Sequence, residues 1–241
     1  MLDDMLALRD AFEAYRGAAI AAGVAWPDPP DADGGPPPPL VYRLFDVDHV
    51  AEQLIWLRSQ GWDSSPVLPE GGGILPWPTD AQESLDSLSF SFATPFPWRH
   101  QLPLFQFGDM VYTFVLAGDR EGEIWRYEFR PDTWDSMRAA TSLAALFTQW
   151  TKAIGAGVVR YGRYVHWLQV AGDVQDPFDA LLVRSPDLDP FAFPISVPYA
   201  HEPLLRERQC ECGVDMDSIY RPECHKELLD AIDATLASLG R

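Results

Sequence analysis

"LFQFGDMVYTFVLAGDREGEIWRYEF", residues 104–129, reads as two strands joined by a polar turn. Its first part is rich in aromatic and β-branched residues, "GDREGE" supplies the turn, and "IWRYEF" alternates. The alternation sets Trp125, Tyr127 and Phe129 on one side and Arg126, Glu128 and Arg130 on the other. An antiparallel hairpin with one buried and one wet face follows. "SFSFATPFPW", residues 89–98, alternates Ser with Phe and reads as a further strand leading into the hairpin.

Helical periods flank these strands. Leu8, Phe12, Tyr15 and Ala19 share one face over residues 2–20. "FDVDHVAEQLIWLRSQG" reads as a helix over 48–60, capped by Asp46 or Asp48 and stopped by Gly61. Thr141 or Ser142 caps a third helix over 142–154, with Leu143, Leu146, Phe147, Trp150 and Ile154 as its apolar stripe. A fourth spans 223–239, with Pro222 near its start and Leu228, Leu229, Ile232, Leu236 and Leu239 on one face. Two stretches stay open: "VVRYGRYVHWLQV" suits a strand or a helix, and "SPDLDPFAFPISVPY" carries too many prolines for a central element. Helices set around one run of strands predict an α+β fold, with a mainly antiparallel sheet drawn from residues 88–130. The expected organisation is a domain over 1–156 and a C-terminal extension over 157–241 packed on it and ending in a helix.

The 241 residues include 36 acidic and 18 basic ones, a net charge of −18. Such a surface repels a phosphate backbone or an anionic membrane, so neither nucleic acid nor a membrane is the expected partner. It suits simple solubility or a positively charged protein steered in by the field. The first residues, "MLDDMLALRDAF", carry no leader pattern, and no apolar run is long enough to span a bilayer, so the expected location is the cytoplasm. The expected state is a monomer or weak dimer.

The order of these elements resembles the SUKH superfamily, which comprises bacterial toxin-immunity proteins and fungal cell-wall synthesis regulators. "VYRLFDVDHVAEQL" matches the family's strand-to-helix entry, and Gly108 with Asp109 matches the Gly-Asp that opens its central strand. Gly122, Glu123, Ile124 and Trp125 match the return strand, and residues 139–147 match the helix after it. The likeness covers roughly residues 1–155, and its motifs are idioms that other α+β domains share. It implies a non-enzymatic, immunity-type protein that neutralises a basic partner such as a nuclease toxin. A housekeeping scaffold of the same fold is the alternative. On the first reading Asp109, Asp119, Glu121, Glu123 and Glu128 present negative charge to the partner; on the plainer one they are the polar residues any wet turn carries.

Catalytic motifs are absent. There is no G-x-S-x-G elbow, no Walker A run and no H-E-x-x-H, and "GAG" at residues 155–157 stops a helix. An enzyme would need a site assembled from separated residues such as His100, His166 and Asp173. One cluster stands apart: Cys210, Cys212 and Cys224, followed directly by His225. Three thiolates and an imidazole suit a structural zinc ion, with His201 as an alternative fourth ligand. Free thiols, or a disulfide between Cys224 and Cys210 or Cys212, are the competing readings.

Overall fold

The computed structural model describes residues 2–28, 35–62, 65–129, 136–172 and 174–240. It is an α+β fold built on a five-stranded antiparallel meander: β1 (Gly73–Ile74), β2 (Gln101–Phe107), β3 (Met110–Val115), β4 (Ile124–Glu128) and β5 (Met137–Ala140), in that order across the sheet. The hairpin across the "GDREGE" turn is the one expected, but the stretch read as its first strand is two, β2 and β3, folded back on each other at Gly108 and Asp109. The 89–98 stretch is not a strand. Pro95 and Pro97 cannot serve a ladder from within, and the chain there runs through turns. The edge strand comes instead from the glycine run at 71–73, where an added Cβ at Gly72 would meet the Phe107 ring at 2.0 Å. No helix among the described residues is long and apolar enough to cross a membrane.

Helix α5 (Leu143–Gly155) covers one face of the sheet, and α1 (Leu2–Ala22) packs on α5. Their buried stripes follow the periodicity: Leu8, Phe12, Tyr15 and Ala19 on α1, and Leu143, Leu146, Phe147 and Trp150 on α5, where Ala153 completes the stripe and Ile154 is half-buried. Ser142 caps α5, its Oγ accepting from the Ala145 N–H at 3.1 Å. Phe12 lies edge-on to Trp56, Trp62 and Phe147, each at a centroid separation of 5.4 Å. Such pairs contribute about 0.5–1.5 kcal/mol each beyond area burial. The predicted helix over 48–60 is shortened to α3 (Glu52–Arg58), and a separate helix, α2 (Pro39–Phe45), precedes it. Asp46 does not start a helix. It ends α2 in the left-handed region, at φ 54°, and its N–H donates to the Tyr42 carbonyl.

The hairpin has no wet face. Directly opposed residues share a side of a sheet, and Ile74, Phe105, Tyr112, Arg126 and Met137 form one row across all five strands. That row faces α5, since Phe105 contacts both Phe147 and Trp150. Trp125 and Tyr127 point the other way. Trp125 packs edge-on against Phe96 at 5.0 Å, and the Tyr127 hydroxyl donates to Gln101 Oε1 at 2.5 Å. This second face lies under α4 (Ala81–Asp86), the turns that follow it, and the C-terminal helices α7 (Glu202–Glu211), α8 (Met216–Ile219) and α9 (Pro222–Ser238). The Gln209 side chain donates to the Ser136 carbonyl, and the Asp215 N–H to the Ala93 carbonyl. Alternation along β4 therefore signals two buried faces of different chemistry. Arg130 lies outside the described residues.

Residues 157–241 share one contiguous core with the rest. "VVRYGRYVHWLQV" forms a hairpin, β6 (Val159–Gly162) and β7 (Trp167–Val170). After α6 (Pro177–Arg184), the proline-rich stretch forms a buried strap through a 3-10 turn at Pro190–Ala192. Arg126 holds it. The guanidinium, 0% exposed, donates to the Phe193 carbonyl at 2.8 Å and to the Ile195 carbonyl at 3.0 Å. Glu128, 4% exposed, balances the charge at 3.9 Å and accepts from Ser196 Oγ at 2.7 Å. Trp150 Nε1 donates to the Ala192 carbonyl at 2.9 Å, so α5 grips the same strap.

Removing one partner from a buried charge pair costs about 3–5 kcal/mol. Arg126→Ala is expected to lower unfolding stability by that amount in chemical denaturation. Limited proteolysis of the variant should cut first within residues 190–196.

Candidate functional site

The strap leaves a cleft of about 1030 Å³ at one end of the sheet. Its wall is assembled from the β2–β3 turn, the end of β7, the start of α6, residues 194–199 and the first turns of α7. Pro177, Pro194 and Pro198 make much of this wall apolar and rigid. Among the described residues three carboxylates line it, Glu70, Asp176 and Glu202, against one guanidinium, Arg206.

Each carboxylate is placed by local backbone. Glu70 sits in a tight turn at φ 54°, a region few residues with a Cβ adopt. Its N–H donates to the Leu168 carbonyl at 2.6 Å, and its Oε1 accepts from the Val170 N–H at 2.5 Å. The turn is thereby laced to β7 and cannot relax. Burial pushes the Glu70 pKa up, and the Val170 hydrogen bond only partly offsets this. Asp176 caps α6, accepting from the N–H groups of Phe178 and Asp179, each at 3.1 Å. Glu202 accepts from Arg206 at 3.0 Å, and Arg206 also donates to Gln209 Oε1 at 2.9 Å and lies over the Tyr220 ring. The cleft's cation is thus already occupied, while Glu70 carries a half-buried charge answered by one N–H. A site of this composition has the chemistry to accept a cationic group in the carboxylate zone and an apolar stem along the prolines.

The five acidic residues expected to form one surface are split between the two ends of β3. Asp109, exposed in the β2–β3 turn, adjoins Gly108 at the cleft wall, and its carbonyl accepts from the Phe129 N–H at 2.7 Å. Glu128 is buried behind the same wall, bonded to the cleft residue Ser196. Asp119, Glu121 and Glu123 belong to the β3–β4 turn, roughly 17–20 Å away along the strand. Of these, Asp119 and Glu121 are exposed, with Glu121 3.5 Å from His49. Glu123 is structural: its carboxylate accepts from Arg138 at 2.9 Å, from Trp125 Nε1 at 2.9 Å and from Arg120 at 3.3 Å. Sequence patterning finds the hairpin acids because they interrupt strands. It misses Glu70, Asp176 and Glu202, which converge only through tertiary folding. Two local signals exist, "EGGG" after a proline and "DP" opening a helix.

The cysteine cluster is not assembled into a metal centre. Among the described residues no group of three His, Cys, Asp or Glu is placed to hold an ion. All three cysteines are free thiols. Cys210 and Cys212 lie two residues apart at the end of α7, about 200° around a helix, so one is exposed and the other fully buried. Burial pushes the Cys212 thiol up. Cys224 is half-buried in the first turn of α9, and the neighbouring His225 ring packs on Phe92 at 5.3 Å. His201 is engaged elsewhere, 2.5 Å from Asp179. His100 precedes β2 and His166 sits in the β6–β7 loop, while Asp173 lies outside the described residues.

The split of the hairpin acids is testable. Glu123→Ala should cost about 1–3 kcal/mol of stability, as expected when buried donors lose their acceptor. The exposed pair Asp119→Ala with Glu121→Ala should stay within about 0.5 kcal/mol of wild type. Urea denaturation of the two variants checks both. No family model, no curated protein and no solved structure matches this chain.

Proposed function

We propose that this chain is a non-catalytic binding protein whose cleft takes up a basic, extended segment of a partner protein. The observation that carries the reading is the cleft's charge balance. Among the described residues three carboxylates line the cleft with one arginine that is already paired, in a chain of net charge −18. The field of the whole molecule draws a cationic partner toward it, and the cleft supplies the specific contact. Lysine or arginine side chains suit it because their aliphatic stems lie along apolar walls while the charged head reaches a carboxylate. The resemblance to SUKH immunity proteins supports the same class, with a basic toxin such as a nuclease as the partner and the bacterial cytoplasm as the setting. A housekeeping scaffold of that fold would use the cleft in the same manner.

Titration calorimetry with an arginine-rich peptide tests this. Binding should weaken steeply from low to high salt, since exposed charges are screened over about 8–10 Å near physiological ionic strength. Glu70 binds the cation as its ionised form and its folded pKa is raised. Affinity should therefore fall as pH drops through that raised value, while folding stability rises over the same window down to the unfolded pKa. Glu70→Gln should lose roughly tenfold or more in affinity and most of this pH dependence. Equal binding by wild type and Glu70→Gln at neutral pH would refute the cleft as the site.

A further inference from the structure

The acidic charge is unevenly spread. Residues 136–172 contain Arg138, Lys152, Arg160 and Arg163 and no Asp or Glu, leaving 14 basic against 36 acidic residues elsewhere. Arg138 is spent on Glu123. Lys152, Arg160 and Arg163 are exposed and have no carboxylate partner among the described residues. Two of them belong to the β6–β7 hairpin. Its loop is closed by the Gly162–Trp167 pair and by the His166 N–H donating to the Gly162 carbonyl at 2.8 Å, with His166 at φ 65°. At the tip Tyr164 is 100% exposed beside exposed Arg163.

The hairpin base is not loose. The Tyr161 ring approaches to 3.3 Å of where a Cβ on Gly23 would lie, against the end of α1. Trp167 packs over Gly71, at 3.0 Å by the same measure. A rigid base thus presents a tip of tyrosine and arginine, the residue types that dominate binding hot spots. It is a cationic, aromatic segment on an otherwise anionic molecule, the chemistry the cleft accepts.

We infer that the β6–β7 hairpin docks into the cleft of a second copy of this chain, forming a reciprocal dimer that occupies the partner-binding site. The complementarity is on the molecule itself: Arg163 and Tyr164 on one side, Glu70, Asp176 and the proline wall on the other. The topology favours closure. β7 begins at the hairpin loop and its end lines the cleft, so tip and cleft are joined by one short strand. A two-fold axis beside β7 would set each tip in the other copy's cleft, a closed arrangement with no open end. Net charge opposes encounter at long range, but screening over about 8 Å at physiological salt leaves the local contacts to decide. The inference rests on the cation-binding reading of the cleft, and it makes dimer and partner mutually exclusive.

Sedimentation velocity at physiological salt, from about 1 µM to 1 mM, reads the dimer directly. Wild type should show a concentration-dependent monomer–dimer equilibrium, and an arginine-rich peptide should dissociate it. The double variant Arg163→Ala with Tyr164→Ala should dimerise at least tenfold more weakly while keeping its melting temperature and its binding of the peptide. Glu70→Gln should weaken the dimer as well. A wild type that stays monomeric up to the highest concentration overturns the inference. So does a dimer insensitive to the hairpin variant or to the peptide, or a wild-type chain that pellets with anionic phosphatidylserine vesicles through the hairpin instead. Peptide binding by a chain that never dimerises would sink this inference and leave the cleft reading standing. A chain that neither dimerises nor binds the peptide would sink both.

Discussion

A single guanidinium ties the two halves of this chain together. Arg126 stands in an otherwise apolar row of the sheet, with no access to water; its Nη1 and Nη2 donate to the carbonyls of Phe193 and Ile195, and Glu128 lies 3.9 Å away. A buried cation without such acceptors would cost far more than the fold's net stability. The proline-rich strap therefore has one place to go. Pro190 opens its 3-10 turn, and Pro194 and Pro198 remove backbone donors beyond it, so the strap offers its carbonyls freely. Once seated, it closes one side of the sheet beside α5, where Trp150 binds Ala192, and it forms one wall of the cleft.

The same constraint explains what could be read from the chain and what could not. Elements set by local periodicity were legible: the stripes of α1 and α5, the Ser142 cap and the β3–β4 hairpin depend on neighbours in sequence. The exposure of β4 was not. Arg126 and Glu128 carry the signature of a solvated face, and only partners 67 to 69 residues away reverse it. Phe90 and Phe92 alternate like strand residues, but the prolines that follow turn the chain and the rings serve as packing for Phe129 and His225. The cysteines were close in sequence, and helical geometry drives them to different sides. Site residues were legible only where they interrupted a strand. Glu70, Asp176 and Glu202 come from three separate turns and helix starts and meet only in the folded chain.

Charge then divides the molecule into regions of distinct use. Much of the acidic excess is solvated, as on the β3–β4 turn, and some is structural, as at Glu123 and Glu128. Glu70 belongs to neither group. It is held in a strained backbone conformation, half out of water, where burial raises its pKa. Strain and an incompletely satisfied charge at the wall of a large cleft are features that stability alone does not favour. A cationic side chain entering the cleft would relieve the charge, which is the use we propose for it.

Hydrogen–deuterium exchange of the full chain, with and without an arginine-rich peptide, tests that claim most directly. The account predicts slowed exchange in residues 69–72, 168–172 and 196–206, with the β3–β4 turn at 117–122 unchanged. Protection confined to 117–122, with the cleft segments unaltered, would contradict it and return the binding surface to the hairpin turn.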